Sequence, residues 1–465
     1  MIRFIDREEE LETLEMDNKN SENAFVVVYG RRRIGKTRLL EEFFKNKNVI
    51  KYIAEDVNKK IQINEIKEIF SHYLKDEFLA SQDISEWGTF FSYLSKVLDK
   101  NNRIYIWIDE FSYLVKNDKS LTSVLQKFID AFLRESKLFF VVSGSLFGLM
   151  KEDVLANSSP LYGRRTRDIL LRQIPANYIH YFFNMKFQDV MQNILTIGGV
   201  SEYLIVASKY KNYIEFIKKE FLKRDGYFYR EPYFLLSQEF KEIKTYFSIL
   251  NAISYGNTKP SEIANFVGLN TREIYPYLDL LISYDFVRRI VPVLGDNKRG
   301  IYYINDVFFD FWFNFIFRNR DSIERGTCEI DVKELNSFFG KRFEIFIRDN
   351  FHLILKGRKF SGIGKQWGNY FSEEGKTKSI DIDIVTLNEK TKEILFCECK
   401  WQDRVNALEI VNELSKKAGY VNWNLGKRKE HYVVFAKSFS KRIKEFDGKK
   451  VFCYDLRDIE RGFRG

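Results

Sequence analysis

Three groups of residues in this chain of 465 residues have the types and spacing to do chemistry. The first is Gly30-Arg31-Arg32-Arg33-Ile34-Gly35-Lys36-Thr37, followed by Arg38. It fits the phosphate-binding pattern G-x-x-x-x-G-K-[ST]. Its two glycines permit a tight backbone path whose N–H groups point at phosphate oxygens, and the dipole of a following helix adds positive potential. Lys36 would reach the β- and γ-phosphates and the Thr37 hydroxyl would ligate Mg²⁺. Residues Gly30 to Arg38 are therefore the candidate nucleotide contacts. The second group is Asp109-Glu110, two carboxylates closing a buried run: Asp109 to hold Mg²⁺ through water, Glu110 to orient or activate the attacking water. Ser143, after the apolar run 138–142, offers a hydroxyl to sense the γ-phosphate. Arg164 and Arg165, after the turn at Gly163, are candidates to reach a γ-phosphate in cis or in trans. The third group is Asp383, Glu398 and Lys400. Two carboxylates can hold one Mg²⁺ or Mn²⁺, and a lysine beside them can lower the pKa of a bound water or stabilise charge on a phosphate.

These groups need elements to position them. Residues 24–29 read as a buried parallel strand, and 38–44 have helical spacing. Short apolar runs at 26–29, 49–54, 104–108 and 139–142 alternate with helix-like stretches such as 64–74 and 121–134. That alternation predicts an α/β domain, a parallel sheet with helices on both faces. Residues 171–240 read as a helical lid, broken at Gly198-Gly199. In the next segment, 241–255 reads as a helix and 259–269 as a short capped one, with Ser261 near its start and Gly268 at its turn. A third helix is expected from Asn270 through Leu281, with Pro276 as a kink or the true start. Residues 287–293 and 301–304 then form a hairpin whose tip carries Lys298 and Arg299. This is a winged helix-turn-helix layout, which reads DNA or connects domains. The aromatic run 306–318 reads as core.

The last segment is α+β. Residues 379–385 alternate and read as a strand, so Asp381 and Asp383 share a face. After a polar turn at 388–392, the return strand 393–400 puts Glu398 and Lys400 on one face. A hairpin can bring Asp383, Glu398 and Lys400 together. The expected domains are 1–235, 236–325 and 326–465.

Charge and composition limit the partners. A net charge of +10 favours an anionic partner such as nucleic acid, although general basicity would produce the same number. Four scattered cysteines give no disulfide framework, and Cys397 and Cys399 alternate along a strand as small buried residues. No apolar run approaches a membrane span and no secretory leader is visible, so a cytoplasmic protein is expected.

Several motifs together resemble one family. Phe4-Ile5-Asp6-Arg7-Glu8-Glu9-Glu10-Leu11, the Gly30–Thr37 loop, Ile108-Asp109-Glu110-Phe111, Ser143-Gly144-Ser145, residues 159–166 and Gly198-Gly199-Val200 look like the ordered motifs of the archaeal-type ATPases. These are a branch of AAA+/STAND-like P-loop proteins. Ser112 and Ser201 depart from the family pattern, where Gln and Pro are expected, and neither is expected to touch the phosphate chemistry. The resemblance implies ATP, Mg²⁺ and a nucleotide-driven conformational change. Asp383 with Glu398-Cys399-Lys400 resembles the PD-(D/E)XK nuclease core of a restriction-endonuclease-like domain. Glu344 sits where that fold often places an additional acid for the metal.

The function expected is an ATP-binding and ATP-hydrolysing switch. Its C-terminal domain would bind, and could cleave, DNA, with RNA not excluded. It could form a homo-oligomer or assemble on nucleotide. The rival expectations are a non-catalytic nucleic-acid-binding regulator and a signalling scaffold.

Overall fold

The computed structural model describes residues 4–20, 23–132, 136–295, 300–371 and 377–464. Its backbone contacts divide the chain into two compact units. One holds Met1–Ile174 with the short segments Val200–Glu202 and Gln238–Lys241, and the other holds the remainder.

The first unit is built on five strands: β1 (Ala24–Tyr29), β2 (Val49–Ile53), β3 (Arg103–Asp109), β4 (Lys137–Gly144) and β5 (Arg167–Leu170). They form a parallel sheet in the order β2-β3-β4-β1-β5. Every residue of β1 is buried, as is every residue of β4 after Lys137, the pattern of strands covered on both faces. Tyr29 is in register with Gly144 and Ile108 with Val142, so the C-terminal ends of β1, β3 and β4 share one edge. Ligands of open α/β sheets bind along that edge. Beneath it, Phe43 and Phe44 from helix Lys36–Phe44 pack on Trp107 and Phe139 and fix the helix against the sheet. The sequence reading identified four of these strands. It missed β5, whose four residues Arg-Asp-Ile-Leu are too short and polar to stand out.

In the second unit, helices Lys244–Ser254, Pro260–Val267 and Ile274–Ser283 precede an antiparallel pair, β6 (Val287–Ile290) and β7 (Ile301–Ile304). Pro260 opens its helix, where a missing N–H costs nothing. The Glu262 carboxylate accepts the N–H groups of Thr258 and Lys259 there, and Gly268 closes the helix at φ +80°. The third helix starts at Ile274, later than Asn270, and this places Pro276 in its first turn without a kink. Lys298 and Arg299 lie outside the described residues, as do residues 133–134 of the helix expected over 121–134.

The rest of the unit carries β8 (Gly362–Phe371), β9 (Thr377–Asn388), β10 (Glu393–Lys400), β11 (Val405–Asn406), β12 (Lys429–Ala436), β13 (Phe439–Lys441), β14 (Glu445–Phe446) and β15 (Lys449–Tyr454). Six of them form a mixed sheet ordered β14-β15-β12-β10-β9-β8. The pairs β8–β9, β9–β10 and β14–β15 are antiparallel, while β10–β12 and β12–β15 are parallel. Helix Val332–Asp349 carries Glu344 and buries Phe339, Phe343 and Ile347. Cys397 and Cys399 are buried in β10, as their alternation suggests.

Candidate functional site

The loop between β1 and helix Lys36–Phe44 is held by backbone geometry. Gly30 has φ +153°, and a Cβ there would lie 2.5 Å from the Leu171 carbonyl oxygen and from Ile34 Cδ1. Gly35 has φ +97° at the helix N-cap, and Arg33 has φ +68° without a glycine's freedom. Side chains from distant sequence fix the path. The buried Arg7 guanidinium donates to the Ile34 carbonyl at 3.3 Å and the Arg172 carbonyl at 2.6 Å. The Ser201 hydroxyl donates to the same Ile34 carbonyl at 3.0 Å, and the Glu202 N–H donates to the Arg33 carbonyl at 3.2 Å. Ser201 therefore does touch the phosphate loop, contrary to the expectation for this departure. Ser112 is fully buried and its hydroxyl has no hydrogen-bond partner among the described residues.

Lys36 is 5% exposed, and its ammonium donates to the Gly30 and Arg31 carbonyls at 3.0 Å each. Burial lowers its pKa to about 8, with Arg32 adding to the shift and Glu110, Asp109 and Glu239 opposing it. The Thr37 hydroxyl donates to Asp109 Oδ2 at 2.8 Å, and the Ser143 hydroxyl donates to Asp109 Oδ1 at 2.6 Å. Trp107 Nε1 donates to Ser143 Oγ at 2.9 Å and so orients that hydroxyl. Glu110 has φ +53°, and its Oε2 accepts the Ser145 hydroxyl at 2.6 Å and the Ser145 N–H at 3.2 Å. Arg32 donates to the Tyr113 hydroxyl. Arg38 is exposed and sits 4.0 Å from Glu41 on its own helix. Gly30 to Thr37, Asp109, Glu110 and Ser143 thus gather at one sheet edge.

Arg164 and Arg165 do not join them. The Thr166 N–H bonds the Phe25 carbonyl and Arg167 is in register with Val26, so their turn lies at the N-terminal ends of β1 and β5, opposite the phosphate loop. Arg164 is paired with Asp130 at 3.2 Å. Arg165 is paired with Asp168 at 3.4 Å and donates to the Leu155 carbonyl. The expected action in cis is corrected by this placement, because the length of β1 separates their turn from the loop.

The second cluster forms on β8, β9, β10 and the helix Val332–Asp349. Ile384 faces Cys397 in the β9–β10 register, which brings Asp383 beside Glu398. Asp383 Oδ2 accepts the Cys399 N–H at 2.8 Å. Burial holds the Asp383 carboxyl above the ordinary range, and the charges of Glu344 and Glu398 push the same way. Lys400 Nζ lies 2.8 Å and Lys417 Nζ 3.5 Å from Glu398 Oε1. Glu398 Oε2 is buried with no hydrogen-bond partner among the described residues. Glu344 is engaged elsewhere, 3.3 Å from Lys365, which also lies 3.1 Å from Asp381. Burial raises the Glu344 pKa and Lys365 opposes the rise. No group of three His, Cys, Asp or Glu residues is placed to hold a metal among the described residues. Glu344 pairs with Lys365 and still acts electrostatically on Asp383, as does Glu398. In sequence, Lys365 and Lys417 read as part of a basic nucleic-acid path and not as partners of these carboxylates. Nothing in their local sequence points to a carboxylate 21 or 19 positions away.

A glycine loop with a buried lysine, a hydroxyl and a strand-end carboxylate at the C-terminal edge of a parallel sheet defines a P-loop ATPase-like fold. Comparison agrees. Residues 4–196 match the model of an ATPase domain found predominantly in archaea. Residues 312–413 match that of archaeal and bacterial proteins of unknown function. An uncharacterized protein of Methanocaldococcus jannaschii is 30% identical over 468 residues, covering 98% of this chain and 100% of that protein. An uncharacterized ATP-binding protein of the same organism is 46% identical over 49 residues, 10% of this chain and 83% of that protein. The solved Walker-type ATPase PabY2304 of Pyrococcus abyssi aligns with TM-score 0.50 and 18% identity, over 67% of this chain and 96% of that one, a likeness of fold. The chain belongs to the archaeal-type ATPase family and carries, behind the ATPase domain, a region matched by a model of proteins of unknown function.

Proposed function

We propose that this protein is an ATP-driven switch whose C-terminal sheet binds nucleic acid and cleaves it with a divalent metal. The observation carrying the ATPase half is Asp109, whose carboxylate takes the hydroxyls of Thr37 and Ser143 on its two oxygens beside the buried Lys36. The hydroxyl and carboxylate are hard oxygen donors 2.8 Å apart, a pair suited to Mg²⁺. Thr37 and Asp109 would hold that ion, which neutralises phosphate charge when bound. Lys36 neutralises the β- and γ-phosphates, Ser143 reads the γ-phosphate and Glu110 orients the attacking water. Arg164 and Arg165 are left a role in trans, on the nucleotide of a second copy.

The test is ATP turnover. Wild type hydrolyses ATP with Mg²⁺. Lys36→Ala and Asp109→Asn are each expected to lose about 100-fold or more, the scale of removing one preorganised charge from a transition state. A wild type that neither binds nor hydrolyses ATP ends the reading.

For the C-terminal half, the orphaned Glu398 Oε2 beside Asp383 supports a metal-dependent nuclease with Lys400 beside the scissile phosphate. Mg²⁺ or Mn²⁺ would be held by Asp383 and Glu398. The three helices and hairpin over 244–304 support a winged-helix module that adds nucleic-acid contacts. The lysines paired with Glu344 and with Glu398 Oε1 favour a second reading, a nuclease fold used for binding alone. Metal-dependent cleavage of DNA or RNA that disappears in Asp383→Ala supports the first. Salt-sensitive binding without cleavage supports the second. No helix among the described residues is long and apolar enough to cross a membrane, and a cytoplasmic site of action accords with that.

A further inference from the structure

The segment Gln238–Lys241 packs with the nucleotide unit, although the residues on either side of it in sequence belong to the second unit. What it does there is specific. Glu239 Oε1 accepts the Phe147 N–H at 3.1 Å and its Oε2 accepts the Gly148 N–H at 3.2 Å. Those two N–H groups lie one residue beyond Ser143-Gly144-Ser145, the stretch whose hydroxyls hold Asp109 and Glu110. The Glu239 carboxylate acts electrostatically on Lys36 and Arg31, both in the phosphate loop. Gln238 is tied to the same loop, because its Oε1 accepts the Tyr113 hydroxyl at 3.2 Å and that hydroxyl also accepts from Arg32.

A carboxylate on two backbone N–H groups, facing a lysine and an arginine, uses the recognition elements that hold a phosphate. Burial raises the Glu239 pKa, and the two N–H groups, Arg31 and Lys36 oppose that rise. Both carboxylate oxygens thus occupy N–H donors of the kind a phosphate recruits. ATP brings several negative charges to Lys36. Each weakens the attraction that seats Glu239 and adds repulsion at short range.

We propose that Gln238–Lys241 is an internal competitor for nucleotide. Glu239 acts as an anionic plug beside the phosphate loop, and the phosphates of ATP expel it. The displaced segment joins helix Glu231–Glu239 to the stretch leading into helix Lys244–Ser254, so its release reaches the second unit through the chain itself. This rests on the ATP-binding reading and adds how binding is reported. By linkage, whatever affinity the plug costs ATP is the free energy ATP spends to release it.

The test uses the full chain and two readouts. The first is the ATP Kd of wild type and Glu239→Gln, a substitution that keeps the shape and one acceptor but removes the charge. Glu239→Gln is expected to bind ATP about tenfold more tightly, within the usual range of coupling between sites. The second is hydrogen exchange of the 238–241 amides in wild type, expected to quicken when ATP is added. It needs no variant and stands even if Glu239→Gln folds poorly. ATP binding by wild type with unchanged exchange at 238–241, or with equal or weaker binding by Glu239→Gln, overturns the plug alone. A wild type that binds no ATP removes the nucleotide reading beneath it, and the two failures are told apart by that first titration.

Discussion

At the scale of single residues, two adjacent carboxylates are held in different ways. Asp109 accepts a hydroxyl on each of its oxygens, whereas Glu110 sits on a left-handed backbone and is clasped by Ser145. Two hydrogen bonds on one oxygen hold the Glu110 side chain in place, so that oxygen must give one up before it can accept one from a water. Glu110→Gln is expected to bind ATP normally while turnover falls about 100-fold or more, the span of lost general-base assistance. Ser145→Ala is expected to raise turnover, by up to about tenfold, the worth of one hydrogen bond to a charge. Steady-state kinetics beside equilibrium ATP binding would check both, since a merely structural role for Ser145 would lower rate and affinity together. The residues proposed to do the chemistry were legible in sequence because most stand in contiguous sets or at a strand's period of two. Arg7, Ser201 and Glu239 were not legible as loop partners. Arg7 meets Arg172 across 165 positions and Ser201 meets Ile34 across 167, separations that only the fold closes.

At the scale of elements, the loop is a rigid part whose shape depends on Gly30. A methyl group there would meet the Leu171 carbonyl at 2.5 Å, and that carbonyl accepts no displacement without moving the chain after β5. Gly30→Ala is expected to lower the melting temperature and abolish ATP binding. Gly163→Ala makes the comparison: Gly163 has φ +77° but open space around it, so only backbone strain of about 1 kcal/mol should appear. Thermal melts with and without ATP separate the two, because ATP should still raise the melting temperature of Gly163→Ala. The same scale shows where reading by pattern stops. Apolar period and glycine placement located β1, β3 and β4, and alternation located β9 and β10 with Asp383 and Glu398 adjoining. Strand β5 escaped because it borrows stability from pairing with β1 rather than from its own residues. The placement of Arg164 and Arg165 followed from it. Their local sequence suggested an arginine finger, but β5 runs parallel to β1 and carries its preceding turn to the far edge of the sheet.

At the scale of the whole molecule, two chemical centres occur in separate compact units of one chain with a net charge of +10. Basicity alone gives nucleic-acid affinity that falls with salt and ignores nucleotide, because released counterions do not depend on what the phosphate loop holds. A switch gives more. If ATP changes the affinity for nucleic acid by some factor, nucleic acid must change the affinity for ATP by the same factor. The discriminating measurement is therefore a pair of titrations on the Asp383→Ala chain: DNA with and without a non-hydrolysable ATP analogue, and the analogue with and without DNA. Equal factors of about 5 or more in both directions are the expected result. Lys36→Ala should abolish the effect while leaving the salt slope of DNA binding unchanged, because Lys36 is buried in the loop and makes no part of a surface charge path. DNA binding that is indifferent to the analogue at every salt concentration would reduce the C-terminal unit to an independent basic module, and the ATPase would then need a different output.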